Sequence, residues 1–335
     1  MTLTSMDQIR ALFNDLPAAN ADALAAAQDR NMQLTKPPAA LGRLEDLAVW
    51  AGSWQGTDKP SMNNAQAVVF AGNHGVAAAG VSAFPPEVTV QMVANFAHGG
   101  AAINQLCKAN GATLDVHAID LDRPTADFRD GPAMSEDDFV AAWNLGWDSV
   151  NADADVFLTG EMGIGNTTPA AAVSAALFGG SAEDWVGRGT GVDDTGLKLK
   201  QDVVTAGLTK HADAIDALDT LRRLGGRELV AMAAAILSAR AKSIPVLMDG
   251  FICTAAAATL HVQQSGALDH VVAAHQSAEG AHAQLLKHLT KEPILSLGLR
   301  LGEGSGAALA LGVLKGAIAC HSGMATFAEA GVSAG

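Results

Sequence analysis

From residue 67 onward the chain alternates short, almost continuous apolar runs with Gly-rich turns and longer stretches of helical character. The apolar runs at 67–71, 113–119, 155–159, 244–248 and 271–274 predict strands, and the segments between them predict helices. Residues 86–96 read as a helix closed by Gly99-Gly100, residues 168–177 as one closed by Gly179-Gly180, and residues 227–242 as one that runs into the strand starting at Ile244. A last helix is expected over 306–321. Strands that alternate with helices in this way specify a parallel sheet and an α/β fold. The first 32 residues differ: they are Ala-rich and predict two helices, one after the cap candidates Thr4 and Ser5 and one after Asn20, broken at Pro17. No internal repeat is visible, and the alanine bias is a helix preference.

Composition narrows the function. Of 335 residues 49% are hydrophobic, so a large core is available and a disordered chain is excluded. The balance of 21 Lys+Arg against 35 Asp+Glu gives −14, with no basic block, which argues against nucleic acid or an anionic membrane as partner. Cys107, Cys253 and Cys320 are far apart and form no CxxC pair, so neither a zinc ribbon nor a disulfide framework is expected. The N-terminus carries Asp7, Arg10 and Asp15 among its apolar residues and has no signal-peptide core. The uncharged run at 250–268 includes His261 and two glutamines and falls short of a clean membrane span. A cytoplasmic protein is expected.

In an open parallel sheet, ligands sit beyond the carboxyl ends of the strands. Four such segments carry chemistry-bearing residues: Gly72-Asn73-His74-Gly75, Gly160-Glu161-Met162-Gly163-Ile164-Gly165-Asn166-Thr167-Thr168, Asp249-Gly250-Phe251, and His275-Gln276-Ser277-Ala278-Glu279. The second has glycines that turn the backbone tightly and a helix start rich in N–H and hydroxyl donors, which suits a phosphate; a capped strand-to-helix turn is the plainer alternative. It is neither a P-loop nor a GxGxxG fingerprint. Glu161 within it would repel a phosphate unless it faces another part of the ligand, such as a ribose hydroxyl. Glu303 stands among Gly298, Gly302, Gly304 and Gly306, with Leu299 and Leu301 nearby; it reads either as a general base with raised pKa or as a solvated glutamate at a helix entry. The 187–191 glycine turn feeds a helix through an Asp cap, with Lys198 and Lys200 as solvated lysines in the plain reading. His74 could be a base, though a loop histidine is commonly structural. The ten histidines show no short metal-ligand spacing and there is no GxSxG elbow.

Taken together, these segments resemble the nicotinate-nucleotide–dimethylbenzimidazole phosphoribosyltransferase family. The resemblance runs from Lys36-Pro37-Pro38 and Leu41-Gly42-Arg43-Leu44-Glu45, through Gly80-Val81-Ser82-Ala83-Phe84-Pro85 and Gly99-Gly100-Ala101-Ala102-Ile103-Asn104, to GEMGIGNTT at 160–168, GRGTG at 187–191, DGFICTAAA at 249–257, RLGEGSGAALAL at 300–311 and MATFAEAGV at 324–332. It implies a Rossmann-like parallel sheet flanked by helices at 56–306, with a small helical domain formed by both chain ends, 1–55 and 307–335. It also implies a homodimer and transfer of phosphoribose from nicotinate mononucleotide to 5,6-dimethylbenzimidazole, without metal or other cofactor. By position, Glu303 would be the base; Gly163, Gly165, Asn166 and Thr167 would hold the phosphate; Glu161 and Lys200 would lie near ribose and phosphate; and Ser82, Phe84, Gln91 and Leu301 would line the base pocket. The chain differs from the common family pattern at Asn73, Phe84, Gln276 and Ala39-Ala40, where Asp, Tyr, Arg and Gly-Ser are usual. The acceptor stays open among dimethylbenzimidazole, other benzimidazoles and purines, and a non-catalytic nucleotide sensor is the rival from another class.

Overall fold

A computed structural model describes residues 2–333. Five parallel strands form one sheet in the order β2-β1-β3-β4-β5, where β1 is Ala65–Ala71, β2 Ala112–Ala118, β3 Val156–Met162, β4 Val246–Met248 and β5 Val271–Ala273. The order reverses between β1 and β3, which opens a crevice at their carboxyl ends.

Both faces of the sheet are covered, and alternate residues feed two cores. Val68, Phe70, Phe157, Val246 and Met248 face one layer, built mainly of the helices Glu136–Asp148, Thr167–Phe178, Arg227–Ala241 and Phe251–Gln263. Ala67, Val69, Val156, Leu158 and Leu247 face the other, with the helices Arg43–Gln55, Ala102–Asn110 and Ser305–Gly323. Burial on both faces explains why β1, β3, β4 and β5 read as apolar runs, whereas the edge strand β2, with Thr113, Asp115 and His117, has no fully buried residue. Close helix packing in the first layer depends on small residues: a Cβ at Gly146 would collide with the Ala231 carbonyl oxygen.

The chain ends contribute to both layers. Helices Ala21–Gln33 and Arg43–Gln55 pack together, the second also packs onto Ser305–Gly323, and Arg30 of the first donates to the carbonyls of His321, Ser322 and Met324. Leu3, Met6, Ile9 and Phe13 instead join the first core, and Leu3 exchanges hydrogen bonds with the Asn144 side chain. The two expected N-terminal caps are formed: Ser5 accepts from Gln8 N–H and Asn20 from Ala23 N–H. Ser305–Gly323 is long and apolar enough to cross a membrane by length and composition, and here Ala307, Ala308, Leu311 and Leu314 are buried against the sheet and its neighbours.

Candidate active site

A cavity of about 740 Å³ opens at the carboxyl ends of the strands. The end of β3 forms its floor. Strand pairing with β1 continues through Phe70 opposite Glu161 and Ala71 opposite Met162, so the first three residues of the 160–168 segment are strand rather than loop. The chain then turns at Gly163–Asn166, with Gly165 at φ +86°, and enters the Thr167–Phe178 helix. The tight crossing has a cause: a Cβ at Gly163 would lie 2.7 Å from the Gly72 carbonyl oxygen leaving β1.

No side chain caps this helix. The Asn166 amide donates to Glu161 Oε2, and Thr167 Oγ1 accepts from Lys200 Nζ at 2.8 Å. The positive end of the helix dipole therefore faces the cavity without an internal anion. Lys200 is 1% exposed; its ammonium is held by Thr167 and the Gly187 carbonyl, and burial pushes its pKa down to about 8 against the opposing pull of Glu279. Burial pushes the Glu161 carboxyl up to about 8, and the neighbouring charges of Asp249, Glu228 and Glu303 act in the same direction against the Asn166 hydrogen bond. Glu161 is thus a neutral acid at neutral pH, which removes the expected repulsion of a phosphate.

Glu303 arrives by a different route. The segment from Ile294 runs beside β5 and its continuation, with Ile294 N–H bonded to Ala273 O, Gln276 N–H to Leu295 O and Ala278 N–H to Leu299 O. It carries Leu299, Arg300 and Leu301 along the cavity wall and turns at Gly302-Glu303-Gly304, three successive residues at φ +86°, +64° and +82°. A left-handed glutamate is strained, by roughly 1–2 kcal/mol. Its side chain is buried, Oε2 has no hydrogen-bond partner, and burial raises its pKa, reinforced by Asp249 and opposed by the Ile103 N–H. Glu161 lies on the other side of Gly302, where a Cβ would collide with its Oε1.

The wall collects Phe84, Glu161, Gly163, Asn166, Thr167, Leu301 and Glu303 from the residues singled out in the sequence. Four others stand back from it. Lys200 acts through Thr167; Gly165 directs its Cβ position toward Ala77 and Val81; Ser82 meets Thr190 Oγ1 at 3.0 Å and reaches the cavity only through that residue; Gln91 is exposed, one residue before the wall residue Met92. Val88 and Met92, one helical turn apart, join Phe84 and Leu301 as apolar lining, while Thr190, His275, Ser277, Glu279 and Arg300 supply polar lining, Thr190 lying beside Phe84 through its hydrogen bonds to Ser82 and Ala83. Helical spacing could have suggested Val88 with Met92; His275, Ser277 and Glu279 belong to a segment expected at the ligand end of a strand, and nothing local marks Arg300 as facing the same space. His74 is tied at 2.7 Å to buried Glu228 beneath the Gly72–Gly163 crossing, so it is structural in this arrangement. Asn73 donates to the Leu121 carbonyl and, like Gln276, is off the wall. No group of three or more His, Cys, Asp or Glu side chains suited to a metal ion occurs among the described residues.

A family model described as phosphoribosyltransferase matches residues 16–332. The chain belongs to this phosphoribosyltransferase family. Two of its similar relatives are named nicotinate-nucleotide–dimethylbenzimidazole phosphoribosyltransferase. The one from Ruegeria pomeroyi is 63% identical over 333 residues, 99% of each chain, and the one from Jannaschia sp. is 65% identical over 314 residues, 93% of each. Among solved structures, the enzyme of that name from Thermus thermophilus superposes with a TM-score of 0.87 at 39% identity, covering 94% of this chain and 100% of the other. A second structure, of CobT from the same organism, gives 0.88 at 41% with the same coverage. For a phosphoribosyltransferase, a cavity lined by both a helix N-terminus and apolar side chains fits a ligand with one phosphate and a flat base.

Proposed function

We propose that this phosphoribosyltransferase transfers the 5-phosphoribosyl group of nicotinate mononucleotide to a nitrogen of 5,6-dimethylbenzimidazole, giving α-ribazole 5′-phosphate and nicotinate for the lower ligand of cobalamin. The names of its relatives support this reading, and one observation carries it: a buried glutamate with raised pKa and an unpartnered oxygen, Glu303, lines the same cavity as the start of the Thr167–Phe178 helix and the apolar side chains Phe84, Val88, Met92 and Leu301. The acceptor nitrogen attacks C1′ as the bond from C1′ to the pyridinium nitrogen breaks, and the bonding pair neutralises the departing ring. Attack on the opposite face inverts C1′, so a β-nucleotide gives an α-product. The acceptor's second nitrogen gives its proton to Glu303. The sugar carbon develops oxocarbenium character, and the enzyme contributes by fixing the phosphate, excluding water and accepting that proton.

In this reading Gly163, Gly165, Asn166 and Thr167 form the phosphate cradle, with Lys200 behind Thr167 and neutral Glu161 toward the ribose. Ser82, Phe84, Gln91 and Leu301 belong to the base side. Phe84 at 52% and Leu301 at 59% exposure, with Leu297 and Val90 also exposed, support a homodimer that covers the mouth of the cavity. The domain division 1–55 with 307–335 against 56–306 and a cytoplasmic location complete the proposal; buried or half-buried free cysteines accord with a reducing compartment. The test is nicotinate release from nicotinate mononucleotide, assayed with a panel of bases. Release that requires dimethylbenzimidazole is expected; release without any base, or faster with a purine, overturns the proposed acceptor.

A further inference from the structure

Behind the Glu303 turn lies a carboxylate that the reaction chemistry does not touch. Asp249 follows β4, is 1% exposed, and is absent from the cavity wall. Both of its oxygens are spent on backbone donors of the glutamate's turn and of the helix that follows it: Oδ2 accepts from Gly304 N–H at 3.2 Å and Oδ1 from Ala307 N–H at 2.9 Å. Its own N–H donates to Thr159 Oγ1 in β3 at 3.2 Å, and His275 Nε2, just beyond β5, is 3.3 Å from Oδ1. Three adjacent strands therefore converge on one turn through this residue, β3 by its main-chain N–H and the end of β5 by its carboxylate. The turn needs an anchor, because three successive left-handed residues, one of them not glycine, hold together only where the surroundings over-determine them. The donors also need an acceptor, since the first-turn N–H groups of the Ser305–Gly323 helix have no intrahelical partner.

We propose that Asp249 is a positioning residue for the Glu303 base: it clamps the 302–304 turn to the start of the last long helix and so fixes where the Glu303 carboxylate meets the acceptor nitrogen. This rests on the reading of Glu303 as proton acceptor. The alternative role, a plain helix cap, is served by any acceptor at the same place, whereas the clamp also depends on a negative charge set against Glu303. The titratable and charged groups around Glu303 are Asp249, Glu161 across Gly302, His275 beyond Asp249, Arg300 on the same loop, and Glu228 behind Glu161. Among them Asp249 is the charge that raises the proton affinity of Glu303, adding to the effect of burial itself.

Two substitutions separate the parts. Asp249→Asn keeps the shape but loses the charge and one acceptor; Ala307→Pro removes one of the two donors, leaves the charge, and falls at the third helical residue, whose N–H makes no intrahelical bond for proline to break. With kcat and KM measured against pH, Asp249→Asn should lower kcat roughly 10- to 100-fold, as a misplacement of about 1 Å does, with KM for nicotinate mononucleotide nearly unchanged. Its acid limb, where the base loses its proton, should move to lower pH, because a negative neighbour is gone. Ala307→Pro should lower kcat without moving that limb. A folded Asp249→Asn enzyme with wild-type kcat, or with a lower Tm and an unmoved acid limb, overturns the clamp. Should Asp249→Asn fail to fold, Ala307→Pro decides alone: reduced kcat at unchanged nucleotide KM supports the clamp, and wild-type kcat overturns it. Glu303→Gln in parallel keeps the two ideas apart. If it retains full rate the base reading falls, whereas a slow Glu303→Gln beside an unaffected Asp249→Asn leaves the base and removes the clamp.

Discussion

Glu303 unites a left-handed backbone, a buried carboxylate with a free oxygen, and a raised proton affinity. Each is costly alone, and together they suit a group whose task is to take one proton. Glu303→Gln keeps size and hydrogen bonding but cannot accept the proton, so the rate of α-ribazole phosphate formation at saturating substrates should fall about 10²–10⁴-fold, roughly 3–5 kcal/mol of barrier, with nucleotide binding nearly unchanged. A loss below about threefold would show that the proton goes elsewhere. The same backbone strain appears without function at Ala39, exposed and at φ +58°. There Ala39→Gly relieves the Cβ clash and loses no packing, so unfolding in urea should show up to about 1 kcal/mol of added stability, the glycine's chain entropy offsetting the rest.

Between residues and the whole lie the elements, where the glycines decide how closely backbones approach. Gly163→Ala puts a Cβ 2.7 Å from the Gly72 carbonyl and should prise apart the exits of β1 and β3, weakening nicotinate mononucleotide binding about tenfold or more by isothermal titration. Gly146→Ala acts far from the site, where the helices Glu136–Asp148 and Arg227–Ala241 touch; it should cost about 1–3 kcal/mol in stability and leave the kcat of folded enzyme alone. Elements of this kind were legible in the sequence to the extent that their signals are local. Burial on both faces made β1 and β5 visible as apolar runs, and side-chain caps marked the helices after Ser5 and Asn20. The end of β3 was hidden because Gly160 and Glu161 do not look like strand; pairing with Phe70 and Ala71, distant in sequence, keeps them extended. In the site, Glu161, Gly163, Asn166 and Thr167 share one short stretch of sequence, from the end of β3 to the start of the next helix, and could be read together. Arg300, His275 and the Asp249 contacts could not, since only the sheet order brings the ends of β3, β4 and β5 side by side.

At the scale of the molecule, two buried groups give stability opposite dependences on pH. Folding raises the Glu161 carboxyl from 4.5 to about 8, so the folded state holds an extra proton in between; the stabilisation is complete below 4.5 and lost as pH rises through about 8. Folding lowers Lys200 from 10.5 to about 8, so its contribution grows as pH rises from about 8 toward 10.5. Denaturant unfolding of the wild type should therefore lose stability from about pH 5 to about pH 8 relative to Glu161→Gln, and parallel curves for the two proteins would contradict the assignment. Light scattering at micromolar concentration should give twice 34.1 kDa, and a monomer would refute the proposed dimer. The placing of the Ser305–Gly323 helix reaches beyond equilibrium, to the order in which the chain leaves the ribosome. This helix covers Val69, Leu158 and Leu247 on the second face of the sheet, yet it is synthesised after all five strands. Until it emerges, that face is covered only in part, by helices such as Arg43–Gln55 and Ala102–Asn110, and the turn bearing Glu303 has no helix to lean on. Nascent chains stalled before residue 305 should accordingly be bound by chaperones and protease-sensitive, acquiring resistance only when that helix is released.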